Sequence, residues 1–127
     1  MLLERHRSKI VQSPQLLALL GPRPRVRTIV MCCGVFDVVH PGHLRHLLYA
    51  KSKADVLVAV VTGDAHVPKG PYRPHVPQDL RAANLAVYDF VDYVVISESP
   101  SINELLAGAQ PDFYAKGFEY SAAARPG

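Results

Sequence analysis

Tryptophan is absent from the 127 residues, and cysteine occurs twice. The two cysteines, Cys32 and Cys33, are adjacent; neighbours on an extended strand face opposite sides, so they make a poor disulfide pair. A small disulfide-stapled secreted scaffold is thereby excluded, and a reducing, cytoplasmic setting is expected. Long hydrophobic runs are also missing. The longest in the body of the chain, Val56 to Val61, is far short of the roughly 20 residues that a membrane span needs, so no membrane partner is expected. No basic flank with a long apolar stretch and a small-residue cleavage site marks a secretory leader.

What is present fits one globular domain: 49% hydrophobic and 20% charged residues, with a mean hydropathy of +0.07. Acidic residues are scarce at the start. Residues 1 to 27 hold six basic side chains (Arg5, Arg7, Lys9, Arg23, Arg25, Arg27) against Glu4 alone, whereas residues 28 to 127 are slightly acidic. The pI near 9.0 therefore belongs to an N-terminal arm, and no nucleic-acid partner is expected. Within the arm a helix is expected over Ser8 to Leu20, stopped by Gly21-Pro22-Arg23-Pro24. The domain proper is expected over residues 28 to 127.

There the pattern alternates. Apolar runs Thr28 to Cys33, Val56 to Val61, Tyr93 to Ile96 and Phe113 to Lys116 are separated by helical stretches Pro41 to Lys53, Gln78 to Phe90 and Ser101 to Ala109. Near-continuous Val/Ile strands between helices predict an α/β fold, a doubly wound parallel sheet with both faces covered. Such sheets bind ligands beyond the carboxyl ends of their strands, where strand order reverses.

After the first strand comes Gly34-Val35-Phe36-Asp37-Val38-Val39-His40-Pro41-Gly42-His43. Pro41 has its φ preset for a first helical position, so a helix is expected to begin there. His40 then precedes the helix and His43 lies in its first turn. Unpaired amides and a partial positive charge at a helix N-terminus suit phosphate, and two imidazoles add donors. Gly34 and Gly42 leave the backbone open to a ligand. Zinc held by His40, His43 and His46 with Cys32 or Cys33 is a poorer reading, because the cysteines lie inside a strand and no Cys-x-x-Cys completes a tetrahedral set.

This stretch resembles the His-x-Gly-His signature of the cytidylyltransferase-like nucleotidyltransferases, and within that family it is similar to glycerol-3-phosphate cytidylyltransferase and to the nucleotidyltransferase domain of ADP-heptose synthase. The resemblance extends over about residues 28 to 120. It takes in Lys51 to Asp55, with Ala54 in place of the usual Gly, then Thr62-Gly63-Asp64 and Lys69-Gly70-Pro71-Tyr72-Arg73-Pro74. Arg81 and Lys116-Gly117-Phe118-Glu119-Tyr120 follow, with Glu119 where the family has Asp; Cys33 stands where many relatives have Asn or His.

The resemblance implies a Rossmann-like nucleotidyltransferase fold and transfer of CMP or AMP from CTP or ATP to a phosphorylated small acceptor, a sugar phosphate above all, with Mg²⁺ and release of pyrophosphate. It implies His40, His43, Lys69 and Arg73 as catalytic groups. Nucleotide contacts would come from Gly34, Val35, Phe36, Asp37, His40, Gly42, His43, Asp64, Arg81, Lys116, Gly117 and Glu119. A homodimer is expected, as is fusion to a further domain, because the family's next strand, its Ser/Thr-rich loop and its closing helix do not follow Tyr120. Two other readings stand beside it. A fold reused for nucleotide-binding regulation without catalysis is one. The other is an interaction module, because Pro68, Pro71, Pro74 and Pro77 recur with the three-residue period of polyproline II.

Overall fold

The structure is a computed structural model and describes residues 4–37, 41–67 and 76–115. Helices α1 (Glu4–Arg7) and α2 (Ser13–Leu20) precede strand β1 (Ile29–Gly34). Then follow α3 (Pro41–Lys51), β2 (Val56–Thr62), a single 3-10 turn (Asp64–His66), α4 (Gln78–Ala86), β3 (Tyr93–Ser97), α5 (Asn103–Ala109) and β4 (Phe113–Ala115). The four strands form one parallel sheet in the order β3-β2-β1-β4.

Alternation along the strands builds the two halves of the core. In β2, Leu57, Ala59 and Val61 join Val30 and Cys32 beneath α3 and α4, together with Leu47, Ala82 and Leu85. Val56, Val58 and Val60 face the other way with Ile29 and Met31, against Leu16, Leu20 and Ala109 of α2 and α5. Both sets are buried because both faces are covered, which explains why these strands read as unbroken apolar runs. Cys32 and Cys33 accordingly lie on opposite faces and form no disulfide. Burial pushes the Cys32 thiol up to about 12.

From β1 through β2 to β3 the chain steps one way with α3 and α4 on one face; α5 then crosses the opposite face to place β4 on the far side of β1. A reversal of direction requires this change of face when crossovers keep one hand. The reversal leaves a crevice between the carboxyl ends of β1 and β4.

The strand and helix boundaries expected from the sequence differ mostly by one or two residues from those observed. The exceptions are α2, which starts at Ser13, five residues after Ser8, and α4, which ends at Ala86, four residues before Phe90. Two successive tight turns, Tyr88 N–H to Leu85 O and Val91 N–H to Tyr88 O, carry the chain off the helix and deliver Val91 into the core.

The basic segment expected to precede the domain is, in its described part, built into it. Helix α2 begins later than the expected helix, with Pro14 in its first turn, and Leu16 and Leu20 are buried in the core. Ahead of it, Ile10 bridges Val94 beside β3, and Val11 N–H donates to Val94 O at 2.9 Å. The arginines cap helix ends. Arg25 donates to Gly21 O at 2.7 Å, Ala109 O at 2.8 Å and Gln110 O at 2.7 Å, closing the last turns of both α2 and α5. Arg27 reaches Leu19 O, and Arg23 pairs with Asp112. Helix C-termini carry orphan carbonyls and a partial negative charge, which is where this basic charge is spent.

Asp55 pins the start of the β1–β2 pairing: its Oδ2 accepts from Thr28 N at 2.9 Å and from Thr28 Oγ1 at 3.2 Å. The Thr28 amide, then its hydroxyl, hold the Asp55 carboxyl below its usual value, with help from Lys51 and Arg27. Because the folded-state pKa is the lower one, this stabilisation is present above the unfolded pKa and is lost as the pH falls through the folded value. The wild type should therefore exceed Asp55→Asn in urea midpoint at neutral pH, and the gap should close as the pH drops below about 4. A gap that is the same at every pH would remove the ionised carboxylate from this role.

Candidate functional site

Five segments meet at the carboxyl edge of the sheet: the residues after β1, the first turn of α3, the end of β2 with its 3-10 turn, the start of α4, and the residues after β3. Gly34 closes β1, and its carbonyl accepts a 3.3 Å bond from Thr62 Oγ1. Phe36 then takes a left-handed conformation, φ +52°, with its ring buried in the α3/α4 half of the core. A bulky residue adopts that backbone only where its surroundings hold it there.

One holder is the ring of His43 in the first turn of α3, edge-on to Phe36 with centroids 6.3 Å apart. The helix begins at Pro41, as its sequence predicts. Asp37 follows Phe36, and its Oδ1 accepts from Val76 N–H at 2.8 Å, tying this loop to the approach of α4.

Beneath the loop lies Arg81 of α4, wholly buried and the one buried charged side chain among the described residues. Nε donates to Val76 O at 2.8 Å, and Nη1 donates to Val35 O and to Thr62 O, each at 2.7 Å. Nη2 pairs with Asp64 Oδ1 at 2.5 Å. A planar, always-charged fork suits such a hub, since it offers donors in several fixed directions at once.

Asp64 is braced further by Gln78: Gln78 N–H donates to Asp64 Oδ2 at 3.2 Å, and Asp64 N–H donates to Gln78 Oε1 at 2.8 Å. Gln78 Nε2 passes on to Glu98 Oε2 at 3.0 Å. Gly63 makes this approach feasible: a Cβ there would lie 2.7 Å from Ser97 O, 3.0 Å from Glu98 Oε1 and 3.2 Å from Gln78 Oε1. One polar chain thus runs from Val35 after β1 to Glu98 after β3.

Of the residues singled out from the sequence, Gly34, Val35, Phe36, Asp37, Gly42, His43, Asp64 and Arg81 fall in this region. The structure gives Asp64 and Arg81 partners inside the protein: they hold each other, and Arg81 faces the loop's underside rather than solvent. His40, Lys69, Arg73, Lys116, Gly117 and Glu119 lie outside the described residues, as do Pro68, Pro71 and Pro74 of the proline repeat. Lys51, at the end of α3, donates to Asp92 Oδ2 at 2.9 Å and to Asp55 O at 2.6 Å, a brace far from the crevice. Glu98 directly follows the third strand, at the carboxyl end where such sheets bind ligands; Gln78, at the start of α4, was not anticipated.

A parallel sheet with a histidine-bearing helix N-terminus beside its switch point defines a Rossmann-like α/β domain of nucleotide-binding type. A family model described as cytidylyltransferase-like matches residues 31–124, and the chain belongs to that family. The bifunctional protein HldE of Campylobacter jejuni subsp. doylei is 40% identical over 114 residues, which cover 88% of this chain and 24% of that protein. HldE of Pelobacter propionicus is 38% identical over 117 residues, covering 90% and 24%. The crystal structure of the lipopolysaccharide core biosynthesis protein from Thermoplasma volcanium GSS1 has the same fold, with a TM-score of 0.65 at 27% identity over 70% of this chain and 73% of that one. The chain thus spans about a quarter of the length of these HldE relatives.

Among the described residues, no three His, Cys, Asp or Glu side chains converge to hold a metal ion, and no helix is long and apolar enough to cross a membrane.

Proposed function

We propose that this domain is a nucleotidyltransferase that moves CMP or AMP from the nucleoside triphosphate to a phosphorylated small acceptor, a sugar phosphate. The observation that carries the reading is the first turn of α3, with His43 set against the buried Phe36 at the edge of the sheet's switch-point crevice. A phosphate oxygen of the acceptor attacks the α-phosphorus, the bond to the β-phosphate oxygen breaks, and pyrophosphate leaves. No covalent intermediate is needed, so the work falls to positioning and to neutralising charge as it develops.

In this reading His40 and His43 donate to the triphosphate, and Lys69 and Arg73 supply positive charge to the phosphates. Lys116, Gly117 and Glu119 complete the nucleotide's surroundings beyond β4. The described residues would leave most magnesium ligands to the phosphate oxygens, as suits an ion that arrives with its nucleotide. The domain acts in the cytoplasm, joined to a further domain, as the relatives' greater length supports.

Calorimetric titration of the 127-residue chain with CTP and separately ATP, each with Mg²⁺, tests the reading. Saturable binding of one nucleotide, with pyrophosphate released once a sugar 1-phosphate is added, is the expected result. Binding without turnover on any phosphorylated acceptor would leave a nucleotide-binding regulator instead.

A further inference from the structure

At the carboxyl end of β3 the surface opens into a groove of about 1020 Å³, between the segment ahead of α2, the start of α4 and the β3–α5 connection. Its floor is apolar, from Leu17, Ile96 and Leu105, and its rim carries Gln78, Glu98, Ser99, Ser101 and Glu104. Among the described residues lining it there is no Lys, Arg or His. The carboxylates of Asp79, Glu98 and Glu104 would repel a phosphate and the described lining residues offer it no cation, so this lining favours neither the triphosphate nor the phosphate end of an acceptor.

Carboxylates and serine hydroxyls around an apolar floor are suited instead to a neutral body rich in hydroxyls: each carboxylate accepts from two hydroxyls, and each serine donates and accepts. Position agrees with chemistry. Gly34 pairs with Val61, and Thr62 with Ser97, so the ends of β1 and β3 stand level across β2. At roughly 4.8 Å per strand the end of β3, where the groove begins, lies about 10 Å from the end of β1, the reach of one phosphorylated sugar. The polar chain from Val35 through Arg81, Asp64 and Gln78 to Glu98 holds the two places in one rigid frame.

We propose that this groove binds the polyhydroxylated body of the phosphorylated acceptor, with Glu98, Ser99 and Glu104 taking its hydroxyls while its phosphate points along the sheet edge toward His43. The proposal rests on the nucleotidyltransferase reading for its orientation and adds the acceptor's place.

The test is amide NMR of the ¹⁵N-labelled 127-residue chain, titrated with a heptose 1-phosphate, mannose 1-phosphate, inorganic phosphate and phosphocholine, and separately with CTP and ATP plus Mg²⁺. The sugar phosphates should shift the amides of residues 97–105, inorganic phosphate should not, and a Ser99→Ala/Glu104→Ala double variant should weaken sugar-phosphate binding about tenfold or more. The nucleotide-induced shifts at residues 34–43 should be the same in that variant. Sugar phosphates that leave residues 97–105 unmoved, or bind the double variant as well as the wild type, would overturn the proposal. So would phosphocholine shifting these residues where the sugars do not, since the carboxylates would then serve a cation. Groove shifts without any nucleotide binding would instead retire the nucleotidyltransferase reading and leave the groove as a sugar site.

Discussion

Arg81→Ala should unfold far more easily than the wild type, losing about 3–5 kcal/mol of stability and roughly 10–25 °C in melting temperature. The side chain is wholly buried, and its removal strands the carbonyls of Val35, Thr62 and Val76 and leaves the partly exposed Asp64 carboxylate with Gln78 N–H and solvent in place of its cation. Buried acceptors left without donors cost more than the bonds contributed when made. Lysine should recover only part of the loss, because one ammonium cannot reach acceptors on four sides. Urea and thermal unfolding of the alanine and lysine variants measure this directly. The alternative is a phosphate-contacting role: an alanine variant that melts like the wild type yet fails to bind nucleotide would establish it.

His43→Ala should behave in the opposite way. Loss of a donor that acts on charge developing in the transition state lowers turnover by about 10²-fold or more. The fold loses the edge-on contact with Phe36, worth about 0.5–1.5 kcal/mol, so the melting temperature should fall by only a few degrees. Pyrophosphate release from CTP or ATP with a sugar 1-phosphate gives the rate, and calorimetry gives the stability. A large fall in melting temperature with little loss of rate would make His43 a packing residue holding Phe36 in its left-handed backbone.

These two variants separate groups that look alike in the sequence. Both are basic residues at helix starts near strand ends, and both invite a phosphate. Yet the His43 ring lies against the loop at the switch-point crevice, while Arg81 is turned beneath that loop. Nothing in the sequence near Arg81 gives this direction. It follows from α4 packing against β2 and β3, which leaves position 81 on the inward face of the helix alongside Ala82 and Leu85.

Much of the architecture was legible because it rests on local chemistry. Valine-rich runs, Pro41 at a helix start and adjacent cysteines on a strand each constrain the backbone within a few residues. Parallel strands covered on both faces leave a continuous apolar signature, and the stretch from Gly34 to His43 places a helix N-terminus after a buried strand. The charge of residues 1 to 27 was legible as a composition and misleading as an organisation. Basic side chains look like an exposed arm until the C-termini of α2 and α5 are seen beside them.

The sequence by itself determined the α/β class, the strand–helix alternation and the glycine- and histidine-bearing loop after β1, since each is written in neighbouring residues. Only the tertiary structure decided that Arg25 closes two helices, that Arg81 and Asp64 hold each other, and that Gln78 joins Asp64 to Glu98 at the edge of a groove. Apart from Arg25 with Gly21, four positions away, those contacts link residues 14 to 85 positions apart. A charged side chain's partner is fixed by which surfaces the packed core brings together, and that information is absent from any stretch of sequence read alone.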